Sequence, residues 1–380
     1  MWLARLPLIC LILVICMLLL VSAEAIVIYQ SSIKSVSIEN PDRGPASFEM
    51  LAEQLEETAS INERIREERR GWVSITISFA GDCTLGTDEA FPYQDSLPQR
   101  LEKEGFDYSY FFRGVSSVFE ADDLTIVNLE TTLTEASSSA DKRFRFRGHP
   151  SYTNILKSGS VELVNISNNH IYDYLDEGFN DTVKALDEAG IGYCGEGHIA
   201  YLEIKGIRIA CVGKMVWKPG VNADLKRDIR NAKENADIVI VSLHWGIEGT
   251  YYPDEFQRRL GCLCIDEGAD IVMGHHPHVI QGIEKYKERY IVYSLGNFCF
   301  GGNRNPADKD TFIFQSHFTL KDGEVCGVEI SVIPCSISSV DYINDYQPTV
   351  LEEAERERVL NRIIEYSKKL EYGIGVEDLN

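Results

Sequence analysis

The stretch Asp270–Gln281, reading DIVMGHHPHVIQ, constrains the fold more than any other in the chain. Three apolar residues, Ile271 to Met273, stop at Gly274; His275 and His276 follow at once, and His278 comes just past Pro277. A buried strand that releases imidazoles at its carboxyl end is the form a ligand site takes in an open α/β sheet. Neutral imidazole is the commonest side-chain metal ligand, and a short glycine-started, proline-stiffened turn fixes several nitrogens without a helix. The chain holds eight histidines, and three of them fall here. By themselves these residues also fit a solvated polar turn, so the rest of the chain has to decide.

Other strand-like runs end the same way. Phe79 to Gly81 lead to Asp82; Ile126 and Val127 lead to Asn128 and Glu130; Ile166 and Ser167 lead to Asn168, Asn169 and His170. Val241 to Leu243 lead to His244, and a last run leads through Ser294 to Asn297. If these strands neighbour one another in one sheet, one edge presents acids, amides and imidazoles, a mixed oxygen and nitrogen shell for one or two divalent cations. Two cations about 3.5–4 Å apart share a hydroxide and clamp a phosphoryl or carboxylate oxygen, and a histidine that is not a ligand protonates the leaving group. Mn, Zn, Fe and Mg are all admitted by such a shell.

Strand-like and helix-like runs alternate from Trp72 onward, with helices expected near Arg113–Phe119, Tyr152–Lys157, Gly178–Ala189, Asn222–Glu234 and Asp254–Glu267. This is the pattern of one α/β body, here with a β-rich end at Thr311–Leu320 and Val325–Pro334. No GxGxxG or P-loop pattern is present, so a nucleotide cradle is not indicated. The tail is expected to be a helix opened by a Thr349/Glu352 capping box, with Leu360, Ile363, Ile364 and Ser367 as its stripe.

Before the body come two segments of different character. Leu6–Val21 is an uncharged apolar run behind Arg5, long enough with Ala25–Tyr29 to span a bilayer and oriented by Arg5 with the body outside. Ala23 and Ala25 suit signal peptidase, so secretion after cleavage is the alternative. Gln30 to Arg70 looks like a stalk, with Leu51, Leu55, Thr58, Ile61 and Ile65 on one helical face. The expected division is therefore 1–29 membrane anchor or signal segment, 30–71 stalk, 72–336 catalytic-type domain and 337–380 helical tail. The net charge of −22 argues against nucleic acid as a partner, because such surfaces need excess Lys and Arg. The ten cysteines include no CxxC pair, which speaks against a structural zinc site of the usual spacing and for buried free thiols.

The motifs GDCTLG (Gly81–Gly86), NLETTLT (Asn128–Thr134), SNNH (Ser167–His170), HWG (His244–Gly246), GHHPHV (Gly274–Val279) and SLGNF (Ser294–Phe298) together resemble the poly-gamma-glutamate capsule synthesis (CapA) family, which is similar to the calcineurin-like metallophosphoesterases. The resemblance implies a four-layer α/β/β/α sandwich, a membrane-held outward-facing body, and a role in making, attaching or exporting a polyanionic capsule polymer with membrane-bound ligase or export subunits as partners. It further implies Asp82, Glu130, Asn169, His244, His276 and His278 as metal ligands and His170 as general acid, with His275 a neighbour. Where the phosphoesterase pattern puts a histidine two residues beyond the first aspartate, this chain has Thr84. A non-catalytic polymer-binding subunit and a phosphoesterase unrelated to capsule are the competing expectations.

One feature bears on substrate. KRFRFRG at Lys142–Gly148, read as a strand, sets Arg143, Arg145 and Arg147 on one face and Phe144 and Phe146 on the other. Guanidinium groups pair bidentately with carboxylates and phosphates, so Arg147, Arg145 and the downstream Asn297 are candidate contacts for an anionic polymer or phosphorylated substrate. An edge strand protected by charge reads the same way.

Overall fold

A computed structural model describes residues 71–217 and 222–379, and the expected anchor and most of the stalk lie outside the described residues. Two sheets carry the body. In the first, Trp72–Thr84 runs parallel to Leu124–Leu129, followed by Leu163–Asn165 and Gly192–Cys194. On its other side Trp72–Thr84 pairs antiparallel with Asp310–Lys321, which pairs with Glu324–Ser336. The second sheet is centred on Ile238–Trp245, flanked in parallel by Ile207–Val216 and Ile271–His275; Arg289–Val292 lies beyond the latter. A small third sheet joins Thr87–Asp88, Phe146–Gly148 and Thr132–Leu133.

The strands are apolar on both faces because both faces are covered. Ile75, Ile77 and Phe79 alternate onto one side and meet Ile209, Ile240, Ile271 and Met273 of the second sheet in a single core. Ala80 and Val127 turn the other way, against Leu97, Phe111, Ile155 and Leu186. Val239 and Val241 pack on Leu225, Ile229 and Leu260 of the helices Asn222–Asn235 and Glu255–Asp266. The chain is thus a mixed α/β fold with parallel strands at the centre of each sheet.

Several local expectations change. The helix expected at Arg113–Phe119 is present but shorter, an α-helix at Ser116–Phe119 that follows a 3₁₀ turn at Tyr108–Phe112. Thr349 does not cap the last helix: Thr349–Val350 pairs with Cys335 and Ser336, and Glu352 precedes the helix Glu353–Ser367 without a side-chain cap. That helix packs Val359, Ile363 and Ile364 into the core between the sheets. The six strand ends do not share one sheet. Asp82, Asn128, the Ser167–His170 turn and Asn297 come from the first sheet, and His244 and His275 from the second. Each sheet is parallel at its centre, so each sends carboxyl ends to one edge, and the two edges face each other.

Candidate metal centre

Register places the donors. Asp82 is the pairing partner of both Asn128 and Asn297, and His244 is the partner of His275. The chain can approach this closely only with glycine at key points: a Cβ on Gly274 would lie 1.9 Å from the Tyr293 carbonyl oxygen, and one on Gly81 would lie 2.0 Å from that of Gly296. His276 and His278 hold φ of 96° and 58°, left-handed values that non-glycine residues seldom adopt. Such backbone strain is found where surrounding structure over-determines a functional turn.

Asp82 is fully buried. Its carboxylate accepts hydrogen bonds from Asn128 Nδ2 at 2.9 Å and the His276 backbone N–H at 3.2 Å, and His278 Nδ1 stands 3.2 Å and His275 Nδ1 3.3 Å away. The His278 ring is steadied by Asn297, whose Oδ1 is 2.9 Å from Nδ1. His244 Nε2 lies 2.8 Å from Asn169 Oδ1, and its Nδ1 lies 3.4 Å from Asn128 Nδ2. Glu130 is also buried, yet neither of its carboxylate oxygens has a hydrogen-bond partner among the described residues. Around it stand His244 Nε2 at 3.6 Å, His278 Nε2 at 3.7 Å and His170 Nε2 at 4.0 Å.

The electrostatics follow from this crowding. Burial would push the Asp82 carboxyl up, but hydrogen bonds and charge from His275 and His278 hold it well below the usual carboxylate range. Burial drives the Glu130 carboxyl well above its ordinary value, opposed by His278 and assisted by Asp82. Burial works against charge on His278, and Glu130 and Asp82 override it, raising the imidazole to about 10. Burial, then the charge of His278, brings His276 down to about 3. His244 is held well below its ordinary value by burial and by His276. Two imidazoles, His244 and His276, are therefore kept neutral, the form that binds metal, while His278 is held charged by the carboxylates beside it.

The donor set fits a divalent cation on two grounds. Glu130's unpartnered oxygens and the buried, unpartnered His276 Nδ1 are costly groups to leave unsatisfied. Potential ligand atoms of Glu130, His244 and His276 lie within 4.8 Å of one another, as do those of Asp82, Glu130 and His278. Oxygen with imidazole suits first-row ions such as Zn and Mn.

Beside the acids stands His170, its Nδ1 2.6 Å from Asp173 Oδ2. Asp173 also accepts from the Phe146 N–H at 2.5 Å and from Lys142 Nζ at 2.5 Å, and Lys142 donates to the Asn169 carbonyl at 2.6 Å. Burial lowers the His170 imidazole, with Asp173 opposing. The basic strip takes a different form from that expected: only Phe146–Gly148 is strand, and the phenyl face meets the site, with the Phe146 ring 4.5 Å from that of His170. Arg147 pairs with Glu89, donates to the Ala136 carbonyl and lies over the Tyr174 ring, while Arg145 reaches Ser139. Asn297 lines the open cleft of about 1780 Å³ that leads from the centre, together with His170, His278 and Phe144; Arg145 and Arg147 do not.

Residues that sequence reasoning passed over include Asn128, which bridges Asp82 and His244, and Lys142, which fixes Asp173. Asn128 had a signal, since it ends the same strand as Glu130. Glu248 had none: it sits two residues past HWG in an exposed turn, yet its potential ligand atom lies within 4.8 Å of those of His276 and His278.

The family described as "Bacterial capsule synthesis protein PGA_cap" matches residues 76–302. The chain is 31% identical over 316 residues to the capsule biosynthesis protein CapA of Bacillus anthracis, covering 75% of this chain and 71% of that protein. It is 33% identical over 269 residues to the PGA biosynthesis protein CapA of Bacillus subtilis (strain 168), covering 64% and 67%. A probable polyglutamine synthesis accessory protein of Mycobacterium tuberculosis is 28% identical over 270 residues, with 62% and 67% covered.

Proposed function

This chain belongs to the bacterial capsule synthesis protein PGA_cap family, and from that premise we propose that it acts in the synthesis, attachment or export of a poly-gamma-glutamate-type anionic polymer through a divalent-metal site. The observation that carries the metal reading is the Glu130 carboxylate, buried, with both oxygens unpartnered among three imidazoles. The sequence of cores, helices on sheet, sheet on sheet and sheet on helices, supports an α/β/β/α sandwich of the metallophosphoesterase type. Residues 1–29 would hold the chain to the membrane with its body outside.

Asp82, Glu130 and His278 would hold one cation, and Glu130, Asn169, His244 and His276 a second. A bound cation supplies Lewis acidity and offsets the charge of an anionic substrate. The protein's own groups do the rest. Asp173 accepts from His170 Nδ1 and so turns Nε2 toward the cleft as the atom that takes up a proton and, once protonated, passes it to a leaving group. Phe146 packs on the His170 ring and keeps water from that side. The cleft exceeds the 300–1,000 Å³ typical of small-molecule sites, which favours a polymer segment over a small ester. Carboxylates entering past Phe146 would engage Arg147 and Arg145 if Arg147 exchanges Glu89 for substrate.

Thr84 favours a second reading, a non-catalytic polymer-binding subunit, because a hydroxyl replaces the imidazole expected there. His170→Ala separates the two. The enzyme reading expects turnover of a phosphoester or γ-glutamyl polymer to fall about 100-fold or more, with metal content unchanged. Unchanged turnover removes the acid role. Cells deleted for the chain should lose surface polymer, and undiminished polymer overturns the capsule reading.

A further inference from the structure

We propose that Glu248 is a ligand of the metal centre, reaching it from the cleft side beside His276 and His278. The inference rests on the metal-site reading above. Asp82, Glu130 and His278 offer one cation three donors, the pattern that leaves a coordination place open, and Thr84 offers a neutral hydroxyl where an imidazole is expected. The second position takes His276 with Glu130, His244 and Asn169 Oδ1, which leaves the edge between His276 and His278 as the open place.

Glu248 is the donor placed to fill it. After the strand Ile238–Trp245 the chain turns at Gly246, whose φ is 83° and whose Cβ, were there one, would fall 2.8 Å from the Gln257 side chain. The turn is then tied to the histidine loop by the Gly249 N–H donating to the Pro277 carbonyl at 2.8 Å. Pro277 lies between the two imidazoles that Glu248 faces. Ligand atoms of Glu248, His276 and His278 lie within 4.8 Å of one another. An independent observation points to a ligand here: His276 is 6% exposed, and its Nδ1 has no hydrogen-bond partner among the described residues.

Charge supports the same assignment. Two divalent cations bring four positive charges, and Asp82 and Glu130 offset two of them; Glu248 supplies a third negative charge within reach. Its carboxylate also guards the open side. It is the exposed member of the donor group, and it lines the cleft beside His170 and His278. A hard oxygen donor at that edge favours an ion that accepts carboxylate with imidazole, such as Mn²⁺ or Zn²⁺.

The test is titration of the metal-stripped full-length protein with Mn²⁺ and Zn²⁺, repeated for Glu248→Ala, with Co²⁺ absorption as a second readout. Glu248 is exposed, so the variant keeps the fold. Expected is a fall in affinity of about tenfold or more at one of two sites, together with a changed Co²⁺ spectrum. Equal affinity and an identical spectrum overturn the inference and leave the metal centre standing. A fall that vanishes at high salt with an unchanged spectrum assigns Glu248 to long-range attraction and also overturns it. If the unsubstituted protein takes up no metal, the centre and the inference fall together.

Discussion

Two acid pairs near the cleft, half-buried Asp308 with buried Asp310 and buried Asp82 with buried Glu130, are treated by the fold in opposite ways. Asp310 receives Arg358 through two bonds of 2.6 Å and also pairs with Arg362, which donates to Asp308 at 2.8 and 3.1 Å. These guanidinium groups tie the helix Glu353–Ser367 to the body. Glu130 has imidazoles at 3.6–4.0 Å and no hydrogen bond. The first cluster is complete as it stands; the second has donors to spare. A buried acid matched by bidentate arginine is a brace, whereas a buried acid ringed by imidazoles and left without a hydrogen bond is arranged for a cation.

The sharpest way to break that contrast is Glu130→Gln. Affinity for Mn²⁺ or Zn²⁺, read by calorimetry, should fall more than about 100-fold, beyond the roughly 10–100-fold typical of groups that only support ligands. Metal-free protein should lose little stability, because an amide replaces a carboxyl that makes no hydrogen bond among the described residues. Arg362→Met should do the reverse. It leaves Asp308 without its guanidinium, and since the arginine is partly exposed the loss should be about 2 kcal/mol in urea unfolding, short of the 3–5 kcal/mol of a fully buried pair. Metal affinity should not change. If Glu130→Gln unfolds the metal-free protein as readily as Arg362→Met does, the two clusters are alike and the distinction is lost.

Much of the centre was legible because polar residues recur at strand ends, and an apolar run that meets a glycine such as Gly81 or Gly274 announces itself by local pattern. The assignment of those strands to two sheets was not legible. It depends on pairings such as Asp82 with Asn297, which join residues far apart in the chain, and the Asn297–Phe300 strand is too short to signal itself before Gly301 and Gly302. The alternation in KRFRFRG is visible in the sequence, but which face turns inward is set by Asp173 accepting the Phe146 N–H. Arg362 offers no hint that it will meet Asp308, because that contact exists only once the last helix has docked. Local patterns survive in a sequence; long-range choices of partner do not.

The smallest effect sharpens the same contrast through pH. Burial would raise the Asp308 carboxyl, and the bonds from Arg362 hold it below its ordinary value. A carboxyl depressed in the folded state stabilises fully above its unfolded value, near 3.9, and that stabilisation drains away as pH falls through the folded value. The urea midpoint of the metal-free protein should therefore drop on acidification below about pH 4. In Arg362→Met the Asp308 share of that drop should be missing, so the two curves converge toward low pH. Parallel curves across this range would show that the Arg362 contacts do not hold Asp308 in its charged form, and the brace would have to be explained by packing of the arginine stem instead.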